Sequence, residues 1–128
     1  MLLVRTVVRE SKIDGVGLFA DEPIRKGQHI WKFKSGFDLM LDCSFMLSLP
    51  NQAASRDFEK YAYRMTDKDI FIYCADNAKF INHSKFPNLQ DIDDWLTVAL
   101  MDIEVGEEFT IDYETIDADF YKYKDTLK

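Results

Sequence analysis

The chain has 128 residues, 47% hydrophobic and 30% charged, the length and balance of one globular domain with no room for a second core. Its formal charge of −7 at pH 7 disfavours nonspecific nucleic-acid binding and suits a cationic partner such as a lysine- and arginine-rich tail. Two cysteines, Cys43 and Cys74, are too few for a disulfide framework. The apolar run ahead of Arg5 is too short for a signal peptide or membrane span, so the expectation is an intracellular, cytoplasmic chain (nuclear in a eukaryote).

Leu2 to Val8 is rich in β-branched residues and reads as a strand. Asp14-Gly15 gives a turn and Val16 to Ala20 an apolar run behind it. Pro23 to Gly27 is a second turn, leading into a strand from His29 to Phe33 with His29, Trp31 and Phe33 on one face. Asp38 to Tyr63 has helical character: Leu39, Met40, Leu41 and Met46 are helix-compatible, and Pro50 divides the region. Behind it, Ala53 to Tyr63 carries Phe58, Tyr61 and Ala62 at helical spacing.

Ile70 to Cys74 and Trp95 to Met101 read as strands. Between them Ala75 to Asp94 reads as a polar loop interrupted by Phe80-Ile81, and a loop so long in so short a chain points to function. Phe109-Thr110-Ile111 is a short strand, and Asp117 to Leu127 a terminal helix or tail with Phe120, Tyr121 and Tyr123. Ile24-Arg25-Lys26-Gly27 and Ile103-Glu104-Val105-Gly106 echo each other as tight turns whose glycine can take a positive φ. The absence of β-α-β alternation argues against a Rossmann-type fold and for several short sheets packed together.

Three stretches could carry chemistry. Gly15-Val16-Gly17 lets backbone approach a ligand, a weak signal alone. Phe80 to Asn88 sets Asn82, His83 and Ser84 between apolar anchors and ends on the turn-former Pro87-Asn88. Gly106 to Tyr113 reads as a hairpin strand with an aromatic end, the acidic residues around it (Glu107 and Glu108 among them) as solvated surface. Zinc is excluded because His29 is the only other histidine. A serine hydrolase is disfavoured by the absence of a G-x-S-x-G elbow.

Taken together, the three stretches resemble the SET domain family of protein lysine methyltransferases. Gly15-Val16-Gly17-Leu18-Phe19-Ala20 with Ile24-x-x-Gly27 is similar to the family's N-terminal glycine motif. Phe80-Ile81-Asn82-His83-Ser84 with Pro87-Asn88 resembles its R-F-I-N-H-S-C-x-P-N signature, and Ile103-x-x-Gly106 to Tyr113 its I-x-x-G-E-E-L-T-x-D-Y ending. The resemblance implies a mainly β (β-rich α+β) domain of several small sheets over residues 3–114, with a pseudoknot-like C-terminal crossing. Residues 115–128 would form an aromatic tail or helix completing the site.

The resemblance further implies S-adenosyl-L-methionine as cofactor and a basic, lysine-containing protein or histone-like tail as substrate. Gly15, Val16 and Gly17 would border the cofactor's methionine part; Asn82 and His83 would hold its amino group and adenine, with Phe80 beside them. Tyr113 would stand at the methyl-transfer point, Tyr73 would line the lysine channel, and Phe120 is placed against the cofactor. Lys79 stands where the family has arginine, Lys85 where it has cysteine, and the Y-x-G motif is absent. Those departures keep a non-catalytic module, binding a basic peptide or cofactor, as the alternative.

Overall fold

The two echoing turns pair with each other. Ile24 N–H donates to Ile103 C=O at 2.9 Å, and Ile103 N–H donates back to Ile24 C=O at 2.9 Å; both side chains are fully buried. Gly27 and Gly106 lie at φ +84° and +90°, a backbone that strains any residue with a Cβ.

The computed structural model describes residues 1–65 and 67–126. Leu127, the end of the predicted terminal helix, lies outside them. Strands β1 (Thr6–Glu10) and β2 (Val16–Ala20) form an antiparallel pair. A three-stranded sheet has the order β3 (His29–Lys32), β9 (Leu96–Ala99), β8 (Leu89–Asp93). A second has the order β4 (Leu39–Asp42), β6 (Ile70–Tyr73), β5 (Tyr63–Arg64). The C-terminal crossing is the parallel pair β7 (Asn82–His83) and β10 (Thr110–Ile111). Helices α1 (Gln52–Tyr61) and α2 (Tyr113–Ile116) complete the set. The domain is therefore mainly β, built of several small sheets. Among the described residues no helix is long and apolar enough to cross a membrane.

Three apolar clusters hold these sheets together. Leu18, Ile24, Ile30 and Phe109 join the first pair to the echoing turns. Trp31, Met65 and Ile72 bind the two larger sheets, and Phe58 of α1 packs on Phe71. The thiols of Cys43 and Cys74 are both free.

Several expectations need correction. Leu39 to Asp42 is a strand, because β6 offers it a ladder and pairs all four residues; helix-compatible side chains yield to a tertiary partner. The long loop contains β8, whose two aspartates, Asp91 and Asp93, mask its alternation. Such charge is usual on an edge strand, where it discourages further pairing. His29 and Trp31 do not share a face. A register irregularity between them lets Ile30 and Trp31 both enter the core while His29 is exposed. Of the terminal helix or tail expected, the described residues form a tail with short 3-10 turns, Phe120–Lys122 and Lys124–Thr126.

Candidate cofactor and substrate cleft

The parallel pair positions the central residues. Register sets Thr110 opposite Asn82 and Ile111 opposite His83, so Tyr113, two residues on, emerges beside the β7 segment. Its backbone N–H donates to His83 Nδ1 at 3.0 Å, and its hydroxyl donates to Ile81 C=O at 2.5 Å. Burial raises the Tyr113 phenol well above its ordinary pKa, so it is neutral and its proton is committed to Ile81.

With Nδ1 accepting, the His83 imidazole carries its proton on Nε2 when neutral. Burial depresses its pKa, the charges of Asp112 and Glu114 opposing this in part. The Asp112 carboxylate is 3.6 Å from Nδ1, too far for a hydrogen bond.

Asn82 is fixed from the opposite side. Its Nδ2 lies within hydrogen-bonding range of Glu108 Oε1 (2.8 Å), Ser11 Oγ (3.1 Å), Val16 C=O (3.1 Å) and Asp14 C=O (3.2 Å). Ser11 Oγ in turn donates to Glu108, 2.8 Å from one oxygen and 2.9 Å from the other. The amide's donors are thereby spent on the β1–β2 hairpin, and its Oδ1 is the group left to accept from a ligand. Glu108 is thus a half-buried clamp rather than a solvated surface residue.

These elements enclose a cleft of about 430 Å³, within the usual range for small-molecule sites. Gly15, Val16, Phe80, Asn82, His83 and Tyr113 all line it. Gly15 sits at φ +48° with nothing within 4 Å of where a Cβ would stand, so its backbone is open to an occupant. Gly17 is not among the lining residues. A Cβ there would come within 2.1 Å of Glu108 Oε1 and 3.2 Å of Asn82 Nδ2, so its missing side chain makes room for the clamp.

Phe120 and Tyr73 also lie away from the cleft wall. Phe120 is buried behind the imidazole, its ring 5.2 Å from His83. Side chains alternate along β6, so Ile72 joins the Trp31 cluster while Tyr73 stacks on Phe58 at 6.0 Å. The aromatic wall comes instead from Trp31, Tyr61, Tyr63 and Tyr123. Tyr63 was hidden in the sequence as the apparent end of a helix, although α1 stops at Tyr61 and Tyr63 begins β5.

The tail delivers Tyr123. Ala118 N–H donates to Arg64 C=O at 2.8 Å, Arg64 grips Asp119 at 2.8 Å, and the Tyr123 hydroxyl donates to buried Asp117. Of the three tail aromatics singled out from sequence, Tyr123 borders the cleft, Phe120 backs it, and Tyr121 is exposed.

Fold and cleft together define a β-rich binding domain whose pocket is built on a C-terminal strand crossing. The SET domain family model matches residues 15–114, and the chain belongs to the SET domain family. Over 121 residues it is 30% identical to the N-lysine methyltransferase KMT5A-A of Danio rerio, a match covering 84% of this chain and 34% of that protein. The chain spans about a third of that relative's length.

Among solved structures it is similar to ctPRC2 in an autoinhibited conformation bound to S-adenosylmethionine. That match has a TM-score of 0.71 at 19% identity and covers 96% of this chain and 17% of that one. It is also similar to the Chaetomium thermophilum Polycomb Repressive Complex 2 bound to GSK126. There the TM-score is 0.68 at 20% identity, over 97% of this chain and 18% of that one. At such identities the likeness is one of fold.

Proposed function

We propose that the chain is a protein-lysine N-methyltransferase that uses S-adenosylmethionine and acts on a lysine of a basic protein or histone-like tail. The observation that carries this reading is the double anchoring of Tyr113 to Ile81 and His83. It sets a neutral phenol in a cleft lined both by the Gly15–Asn82–His83 group and by the tyrosine wall.

Bound S-adenosylmethionine supplies an electrophilic methyl group on a positively charged sulfur. The residues present fit it. Among the described residues no protein donor reaches Asn82 Oδ1, an acceptor suited to an ammonium. His83 Nε2–H offers a donor to a purine, Gly15 and Val16 present open backbone, and Phe80 adds an apolar surface. The reading draws support from a relative that is an N-lysine methyltransferase by name and from a neighbour in fold that was solved bound to S-adenosylmethionine.

On the substrate side, a lysine must lose its proton before it can accept a methyl group. With an ordinary pKa of about 10.4, neutralising it near pH 7.4 costs about 4 kcal/mol. A wall of Trp31, Tyr61, Tyr63 and Ile116 disfavours the charged amine by desolvation. Tyr113, its proton given to Ile81, presents oxygen lone pairs toward the reacting amine or methyl group. It orients rather than deprotonates, and alignment is the main requirement of an in-line displacement.

The test is incubation of the chain with methyl-labelled S-adenosylmethionine and a lysine-rich protein mixture, followed by mass spectrometry of the labelled peptides. Label on lysine is the expected result. A protein that binds cofactor or basic peptide yet leaves no label is the non-catalytic module, and the proposal fails.

A further inference from the structure

Outside the residues the family resemblance assigns, one carboxylate of the cleft has no part in the mechanism so far. Asp91 of β8 lines the 430 Å³ cleft together with Trp31, Tyr63 and Ile116. It also lines a second, smaller cavity of about 150 Å³. Tyr63 and Ile116 are likewise shared by both cavities, so these three residues form a wall common to the two. One Asp91 oxygen, Oδ1, accepts from the Thr97 hydroxyl at 2.5 Å; among the described residues Oδ2 has no hydrogen-bond partner. The Tyr63 hydroxyl has none either, and the buried Trp31 Nε1–H is an orphan donor on the same cleft wall.

We infer that Asp91 is the anchor for the substrate's target amine: Oδ2 accepts an N–H from the lysine head group within the cleft. This rests on the methyltransferase reading above, and it names the residue that selects a cationic side chain. The proposed contact gives a partner to a half-buried carboxylate oxygen that the fold leaves open at the cleft, and a hydrogen bond from an ammonium to it is charge-assisted.

The role is binding and orientation. A carboxylate favours the protonated amine beside it, so it captures the ammonium, and the proton then leaves to water. The neutral amine still donates an N–H to Oδ2, which directs its lone pair away from the carboxylate.

The surroundings of Asp91 bear on its charge. Asp93 and Asp94 follow it on the chain, Thr97 faces it from β9, Tyr63 from β5, and Cys74 lies just beyond β6. Burial, with the charges of Asp93 and Asp94, raises its pKa to about 6. His83 and Asp117 line the same cleft.

The test uses n-butylammonium as a lysine-head probe and 1-butanol as its neutral counterpart, each titrated into the chain and read on the Trp31 indole N–H signal by NMR. At pH 7.5 the wild type should favour butylammonium by about tenfold to a hundredfold, the range of a charge-assisted hydrogen bond. That advantage should collapse at pH 5. Asp91→Asn should show no advantage at pH 7.5.

Persistence of the full advantage in Asp91→Asn, or its absence in the wild type at pH 7.5, overturns the inference. Should Asp91→Asn fail to fold, the wild type decides alone, because an advantage unchanged between pH 7.5 and 5 also overturns it. The two readings fail separately. Butylammonium preference without label transfer counts against methyl transfer, and label transfer without the preference counts against Asp91.

Discussion

Tyr113 and Asn82 are both held by bonds that leave one face free, and this sets what their substitution should do. Tyr113→Phe removes the phenol oxygen while its backbone bond to His83 stays. Methyl transfer should fall by about a hundredfold or more, as when one oriented polar group is lost from a transition state, while cofactor affinity measured by calorimetry stays near wild type. Activity close to wild type would remove Tyr113 from its assigned role.

Gly17→Ala tests a different claim. Its Cβ would meet the Glu108 carboxylate, which Ser11 and Asn82 already pin, so the clamp must shift and Asn82 with it. The expected cost is about 1–3 kcal/mol of stability, typical of overpacking, together with weakened cofactor binding. Gly15→Ala meets open space and carries only the strain of a positive φ, about 1 kcal/mol. Equal losses of cofactor affinity from the two variants would contradict the separation of roles.

At the scale of elements, the crossing depends on a side chain that imitates backbone. Asn88 Oδ1 accepts from Thr110 N–H at 2.9 Å, and its Nδ2 donates to Glu108 C=O at 2.8 Å. β10 is thereby bonded to β7 on one side and to an amide on the other. Asn88→Ala should cost about 2 kcal/mol or more in urea denaturation, because it strands two half-buried backbone groups. Asn88→Asp keeps only the acceptor and should fall between. A loss below about 0.5 kcal/mol would show that water replaces the amide.

The crossing also shows what the sequence could disclose. Asn82, His83, Asn88 and Tyr113 stand in motifs whose spacing carries over to a fold, and the echo of Ile24 with Ile103 announced a real pairing. Three things were out of reach because tertiary partners decide them. Leu39–Asp42 became a strand only because β6 was there to pair with it. Tyr73 and Tyr63 exchanged expected places because strand alternation and the exact end of α1 settle which tyrosine faces the cleft. Asp91 looked like one more carboxylate in an acidic chain; its distinction is its place on the wall of the cleft, which no local pattern announces.

For the whole molecule, His83 and Asp91 bend the stability profile in opposite senses. The folded-state pKa of His83 lies below its ordinary 6.5. Its contribution is complete above that value and is lost as pH falls through the depressed one. Asp91 is raised from 3.8 to about 6. What it contributes below pH 3.8 is lost as pH rises to 6, so its ionised burial is a standing cost at neutral pH. Asp91→Asn should therefore melt a few degrees higher than wild type at pH 7 and show no gain near pH 3.5. A gain of equal size at both pH values would mean the effect is not electrostatic. A residue that weakens the fold at working pH is the expected signature of a functional position.

The pairing of residues 82–83 with 110–111 has a kinetic consequence. Contacts between such distant stretches form late, since a long loop must close before they can stabilise anything. The cleft, with its Asn82 and Tyr113 walls, would then be absent from the folding transition state and arise only as the chain crosses to the native side. A cofactor that recognises this cleft has nothing to bind before that moment. It should therefore slow unfolding in proportion to its affinity and leave the refolding rate unchanged.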